Sequence, residues 1–174
     1  MGLHKLMARS ARIDKLGTDW AALLMGTGIG LTVALQATTM RSADFRDVYQ
    51  WIDTVARTCA LLGTYFSLAG VLLVARIPWV ERGVGHDRLV TWHRKLAPYS
   101  LYLIGLHVLL VLIGYAGEEH ISLFNELRKL LAQYPWMWWA LLAFYLMIQA
   151  GVTSYKKARA KLSYESWWLI HTLT

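Results

Sequence analysis

Residues 92–114 read WHRKLAPYSLYLIGLHVLLVLIG, an apolar segment long enough for one membrane-spanning helix, and they include two histidines, His93 and His107. The two positions are 14 residues apart. In an α-helix this spacing corresponds to about 21 Å of rise and falls within ~40° of four full turns. Both imidazoles are therefore expected on one face of one helix, at two depths. Because polar side chains inside a bilayer are costly and usually mark a function, this pair is the first candidate for a functional site.

The composition of the 174-residue chain is typical of a single membrane domain. Hydrophobic residues make up 56% of it, nine residues are Trp, and the mean hydropathy is +0.36. The net charge of +7 would also suit a nucleic-acid-binding protein. However, Lys and Arg lie mostly beside apolar runs, so we expect a lipid bilayer as the partner and no nucleic acid. The single cysteine, Cys59, is expected to be a packed residue.

The apolar runs predict an all-α membrane protein, a transmembrane helix bundle with about five helices. Residues 1–18 are expected to form a basic cytoplasmic arm, and residues 19–53 the first transmembrane helix and an outer loop. Residues 54–174 are expected to form the rest of the bundle. The fifth run, from Tyr164 to Thr174, has only 11 residues, whereas a span needs about 20. We therefore expect the fifth helix to be truncated.

Prolines and glycines are expected to set several helix ends. Pro78 should end the second helix and Gly117 the third, while Pro135 should open the fourth from its first turn. Apolar residues between positions 121 and 131 recur mostly at spacings of three and four, which predicts an amphipathic helix on the membrane surface. The glycines in residues 26–30 are expected to permit close helix packing rather than phosphate binding.

The distribution of cations predicts the orientation in the membrane. Residues 1–18, 76–88 and 156–161 are basic, whereas the two alternate connections carry mixed charge. Under the positive-inside rule, the amino terminus then lies in the cytoplasm. His93 is expected near the cytoplasmic face and His107 toward the outer leaflet.

A third histidine, His171, suggests what the helix that contains His93 and His107 could bind. It has apolar neighbours, lies on another helix, and is expected at the depth of His93. Two imidazoles at one depth can hold one haem iron from both sides, an arrangement that favours electron transfer. Arg94 and Lys95 could neutralise the haem propionates, or they could be simple flanking charges. Each histidine also has a plainer interpretation, as an interface residue or as a packed polar group that donates to a backbone carbonyl.

The other polar residues near apolar runs have less specific interpretations. Arg57 lies one turn inside the second run, where it could extend to the membrane surface or pair with an anionic cofactor group. His4, His86 and His120 lie in polar surroundings and are expected at the surface.

Four short segments share a pattern with one known family. They are ARIPW at 75–79, GHDRL at 85–89, WHRKLAP at 92–98 followed by His107, and SYESWWLIH at 163–171. Together they resemble the ferric reductase-like transmembrane domain of ferric reductases, NADPH oxidases and many bacterial flavin oxidoreductases. The resemblance extends over about residues 54–174.

The resemblance implies roles for the three histidines. His93 and His171 would ligate the iron of an inner b-type haem, and His107 that of an outer b-type haem. In the family, the partner of His107 lies further along the fifth helix, beyond Thr174. FAD and NAD(P)H would bind to a cytoplasmic flavin domain or partner protein outside this chain.

The function that these expectations favour is an oxidoreductase activity, transmembrane electron transfer. Electrons would pass from a cytoplasmic flavin or NAD(P)H donor, through two haems, to an outside acceptor such as ferric iron or dioxygen. One alternative is a haem-bearing membrane subunit that takes electrons from quinol and supplies a periplasmic reductase. Another is a haem-free scaffold or transporter. In each case we expect a multi-pass protein of the bacterial plasma membrane.

Overall fold

The computed structural model describes residues 3–41, 45–155 and 160–173, with the backbone alone for residues 3–16. These ranges form seven helices and no strand, so the all-α prediction is confirmed. The helices are α1 (Leu3–Thr39), α2 (Val48–Val74), α3 (Pro78–Val84), α4 (His86–Glu118), α5 (Leu123–Gln133), α6 (Met137–Ser154) and α7 (Tyr164–Leu173).

Four of the described helices contain a segment long and apolar enough to cross a membrane: Gly17–Thr39 within α1, then α2, α4 and α6. Their large apolar side chains point outward; Leu24, Leu68 and Leu109 are each more than half exposed. Extended apolar faces of this kind need lipid around them. The chain is therefore an integral membrane protein. The ten-residue α7 begins where the fifth apolar run was predicted, but its described length is too short to span.

Pro78 begins a helix instead of ending one. Helix α2 already stops at Val74, and Pro78 occupies the first turn of the short α3 after an extended Ile77. The fixed φ of proline and its missing N–H both suit the first helical position. The prediction that Pro78 ends the second helix is therefore wrong, because Pro78 begins α3.

The predicted roles of Gly117 and Pro135 are also wrong. Helix α4 continues through Gly117 to Glu118. Gly117 instead makes room for the ring of Tyr49, which a Cβ would overlap. Helix α6 begins at Met137, so Pro135 lies in the turn before it.

By internal contacts the chain divides into two units. Unit 1 contains residues 1–40 and 60–100, and unit 2 contains residues 41–59 and 101–174, so α2 and α4 run through both. In unit 1, the Tyr65 hydroxyl of α2 donates to the carbonyls of Leu24 and Met25 in α1, at 3.3 and 3.2 Å. Gly28 makes room for this contact, since a Cβ there would overlap the Tyr65 hydroxyl.

In unit 2, the predicted amphipathic helix is present as α5. Its first turn is capped by Ser122, whose hydroxyl accepts from the Asn125 N–H at 3.3 Å. Glu126 is only 1% exposed, with the Lys129 ammonium 3.7 Å away. Lys129 also donates to Glu119, and this hydrogen bond raises the pKa of Lys129 above its usual value. The contact thus stabilises the folded protein at neutral pH. This stabilisation is lost as the pH rises past the raised pKa of Lys129.

Candidate functional site

His93 is held by a backbone carbonyl of the neighbouring helix α2. It lies half-buried on α4, and its Nδ1 is 2.9 Å from the carbonyl oxygen of Gly70, which is itself buried. A carbonyl oxygen can only accept, so Nδ1 must carry the proton and donate it. In the neutral ring, Nε2 then holds the lone pair, which is the form that ligates a metal.

His107 is held in the same way within unit 2. Its Nδ1 lies 2.9 Å from the carbonyl oxygen of Ala56, another buried residue of α2. This contact assigns the proton to Nδ1 and the lone pair to Nε2. No hydrogen-bond partner for Nε2 occurs within residues 3–41, 45–155 and 160–173. His107 is therefore oriented through one nitrogen and can use the other for coordination.

The acceptors of the two α4 histidines have the same spacing as the histidines. Ala56 and Gly70 are 14 residues apart on α2, as His93 and His107 are on α4. Four helical turns correspond to about 21 Å, too far for the two imidazoles to ligate one iron. The pattern thus provides two similar but separate candidate ligands.

His171 has different surroundings, made by two side chains of unit 2. Its Nδ1 is 3.0 Å from the hydroxyl oxygen of Ser154, the last residue of α6. Trp167, one turn earlier on α7, stacks on the imidazole with ring centroids 5.1 Å apart and 14° between the planes. A hydroxyl can both donate and accept, so this contact orients the ring without by itself fixing where the proton lies.

The cations near the histidines differ in their partners. Arg94 and Lys95 follow His93 on α4, both exposed and without an ion pair to any described residue. Arg57 instead forms an ion pair with Asp53, one turn earlier on α2. Neither interpretation of Arg57 from sequence included this carboxylate. Arg94 and Lys95 thus differ from Arg57 in having no carboxylate partner among the described residues.

The remaining predicted surface histidines and cations add no ligand to the site. His86 is exposed, with its Nδ1 3.6 Å from Glu81, and His120 is exposed with a left-handed backbone. The side chain of His4 lies outside the described residues, and so do Lys156, Lys157 and Arg159 of the third basic segment.

Isolated histidines suit some metal cofactors better than others. Within the described part of the chain, no group of three or more His, Cys, Asp or Glu side chains could hold a metal ion. A structural zinc site needs about four clustered protein ligands, whereas a haem iron needs only one or two axial ligands from the protein. The donor set of His93, His107 and His171 therefore fits haem.

Four residues in these contacts were not predicted from the sequence: Gly70, Ala56, Ser154 and Trp167. Two of them act through backbone carbonyls, which every residue carries, so composition offered no signal. Trp167 had a detectable signal, because its position four residues before His171 brings the two rings together on one helix face. Ser154 had none, because it is separated from His171 by a connection whose path the sequence does not define.

A comparison with protein families shows which family the chain belongs to. The model of the ferric reductase-like transmembrane component family matches residues 59–174, about two thirds of the chain, and the match includes all three candidate histidines. Comparisons with curated proteins and with solved structures found no match. With its membrane-spanning helices and its histidine-bearing α4, the chain belongs to the ferric reductase-like transmembrane component family.

Proposed function

We propose that this protein is a membrane oxidoreductase that carries electrons across the bilayer through two b-type haems. His93 and His171 are the proposed axial ligands of the inner haem, and His107 is a ligand of the outer one. The observation that carries the proposal is the carbonyl contact at Nδ1 of both α4 histidines, which leaves the lone pair on Nε2. Family membership supports the same activity in general terms. The pairing of His93 with His171 rests on the family pattern.

The residues of the chain have distinct parts in this proposal. A bound haem supplies a site that gains and loses one electron, with a potential set by its ligands and surroundings. The carbonyls of Gly70 and Ala56 hold the tautomer and the orientation of the ligands, as groups hydrogen-bonded to metal-bound histidines commonly do. Arg94 and Lys95 would neutralise the propionates of an inner haem. Ligation of one iron by two histidines would favour electron transfer over binding of an external ligand.

The direction of transfer follows from the charges. Under the positive-inside rule, we expect the amino terminus and the connection containing Arg76, Arg82 and Arg88 in the cytoplasm. Electrons would therefore enter near His93 from a flavin or NAD(P)H donor on a cytoplasmic domain or protein. They would leave near His107 to an extracytoplasmic acceptor such as ferric iron or dioxygen.

A vesicle assay tests this function without depending on how the protein inserts. The purified protein is reconstituted into liposomes that enclose ferricyanide, and dithionite is added outside. We expect rapid reduction of the enclosed ferricyanide in the presence of the protein and slow reduction in protein-free liposomes. His107→Ala should abolish the rapid phase and retain the inner haem, whereas the surface variant His120→Ala should behave as wild type. Rapid reduction by His107→Ala would contradict the two-haem path.

A further inference from the structure

The three candidate ligands differ in the group that contacts Nδ1. A backbone carbonyl contacts Nδ1 of His93 and of His107, but a side-chain hydroxyl, that of Ser154, contacts Nδ1 of His171. A substitution can remove the Ser154 hydroxyl, whereas the carbonyls that contact His93 and His107 are present in every variant. His93 is therefore held by a backbone group, and His171 by a side chain.

We infer that Ser154 is a positioning residue that accepts the Nδ1–H of His171 and thereby sets the reduction potential of the inner haem. This inference rests on the proposed role of His171 as an axial ligand. When Nε2 of a histidine binds iron, its proton lies on Nδ1. The Ser154 oxygen, at 3.0 Å, is in place to accept that proton's hydrogen bond. The Trp167 ring covers one face of the imidazole and restricts its tilt.

The expected sign follows from ligand basicity. An acceptor at Nδ1–H makes the imidazole a stronger electron donor to its metal. Stronger donation favours the ferric state over the ferrous state and so lowers the reduction potential. Removing the acceptor should therefore weaken the binding of ferric haem more than that of ferrous haem, which raises the reduction potential. Loss of such a partner commonly costs 10- to 100-fold in metal affinity. A ten-fold difference between the two oxidation states corresponds to a rise of about 59 mV for one electron.

Two substitutions separate the hydroxyl from the bulk of the side chain. Ser154→Ala removes the acceptor, whereas Ser154→Thr keeps a hydroxyl at the same position. Thr153→Ala is the matched control, because the neighbouring Thr153 hydroxyl donates to carbonyls of its own helix, those of Gln149 and Ala150. Each holoprotein is titrated by spectroelectrochemistry, with haem content and helical circular dichroism measured on the same sample.

We expect the inner haem of Ser154→Ala to titrate at a higher potential, by about the 59 mV of a ten-fold effect, while Thr153→Ala matches wild type. Ser154→Thr should retain most of the wild-type potential. Loss of the inner haem from Ser154→Ala alone, with normal helicity, also supports the inference. An unchanged potential in Ser154→Ala overturns it. Equal losses in Ser154→Ala and Ser154→Thr overturn it too, because they indicate a packing role instead.

The same experiment distinguishes failure of this inference from failure of the proposed function. Wild-type protein without any haem would contradict the proposed function itself. Full haem content in His171→Ala would remove His171 from the ligand set, and the inference about Ser154 with it. A haem lost in His171→Ala but unaffected in every Ser154 variant would leave the function standing and reject the role of Ser154.

Discussion

Tyr65 and His93 make the same kind of contact in unit 1, with different consequences. Each side chain donates from an apolar helix to a backbone carbonyl of a neighbouring helix: Tyr65 to Leu24 and Met25, and His93 to Gly70. The tyrosine hydroxyl has one proton, and the contact uses it. The imidazole has two nitrogens, and donation from Nδ1 leaves the lone pair on Nε2. The same contact thus joins two helices at both residues, but only at His93 does it leave a nitrogen that could ligate a metal.

The carbonyl contacts of His93 and His107 are compatible with both interpretations of a membrane histidine. A packed histidine that donates to a carbonyl is the plain interpretation, and a haem ligand is the functional one. The contacts of His93 and His107 meet the requirement of both, because an oriented ligand needs such an acceptor. What separates a histidine from a tyrosine here is the second nitrogen and not the degree of burial.

The largest expected effect comes from removing His93. His93→Ala should lose the inner haem, because the iron keeps only one protein ligand, whereas Tyr65→Ala should change stability more than haem content. Haem per protein, measured as the pyridine haemochrome, tests this difference. Wild-type haem content in His93→Ala would mean that His93, like Tyr65, only fastens helices.

A smaller effect should follow from filling the space beside Tyr65. Gly28→Ala places a methyl group where the Tyr65 hydroxyl lies, so overpacking should destabilise the protein by about 1–3 kcal/mol without changing its haem content. Gly26→Ala and Gly30→Ala are matched controls, since a Cβ at either position meets nothing within 4 Å. The thermal midpoint in detergent is the measurement, and equal midpoints for the three variants would contradict the role of Gly28.

The smallest expected effect is that of the tyrosine hydroxyl alone. Tyr65→Phe removes the donor to Leu24 and Met25 and should cost about 0.5–1.5 kcal/mol, the usual net value of one hydrogen bond. Thermal unfolding and the haem spectrum are compared on one sample. A changed haem spectrum with an unchanged thermal midpoint would contradict the account, because Tyr65 would then affect the haem and not stability.

The sequence predicted where the helices lie better than where they end. Apolar runs identified α1, α2, α4 and α6, because length and hydropathy decide whether a segment can cross a bilayer. The predictions that Pro78 and Gly117 end helices were wrong because proline and glycine each occur in two kinds of position. A proline suits a helix start as well as a stop, and a glycine can accommodate a ring such as that of Tyr49 inside a helix.

The candidate ligands were likewise easier to predict than the groups that contact their Nδ1 atoms. Histidine in an apolar run is rare enough to be noticed, so His93, His107 and His171 could be selected from sequence. Their acceptors depend on which α2 carbonyl, or which α6 hydroxyl, packing brings to Nδ1. That choice depends on the register between helices, which no local pattern encodes.

The most direct test of the account is the reduced-minus-oxidised absorption spectrum of the folded protein purified from haem-sufficient membranes. Two histidine nitrogens on one iron should give the sharp α and Soret bands of a low-spin b-type haem. The bands of the inner haem should disappear in both His93→Ala and His171→Ala, and remain in Tyr65→Phe. Folded wild-type protein with no haem bands would contradict the central claim, and the α4 histidines would then serve only to join α4 to α2.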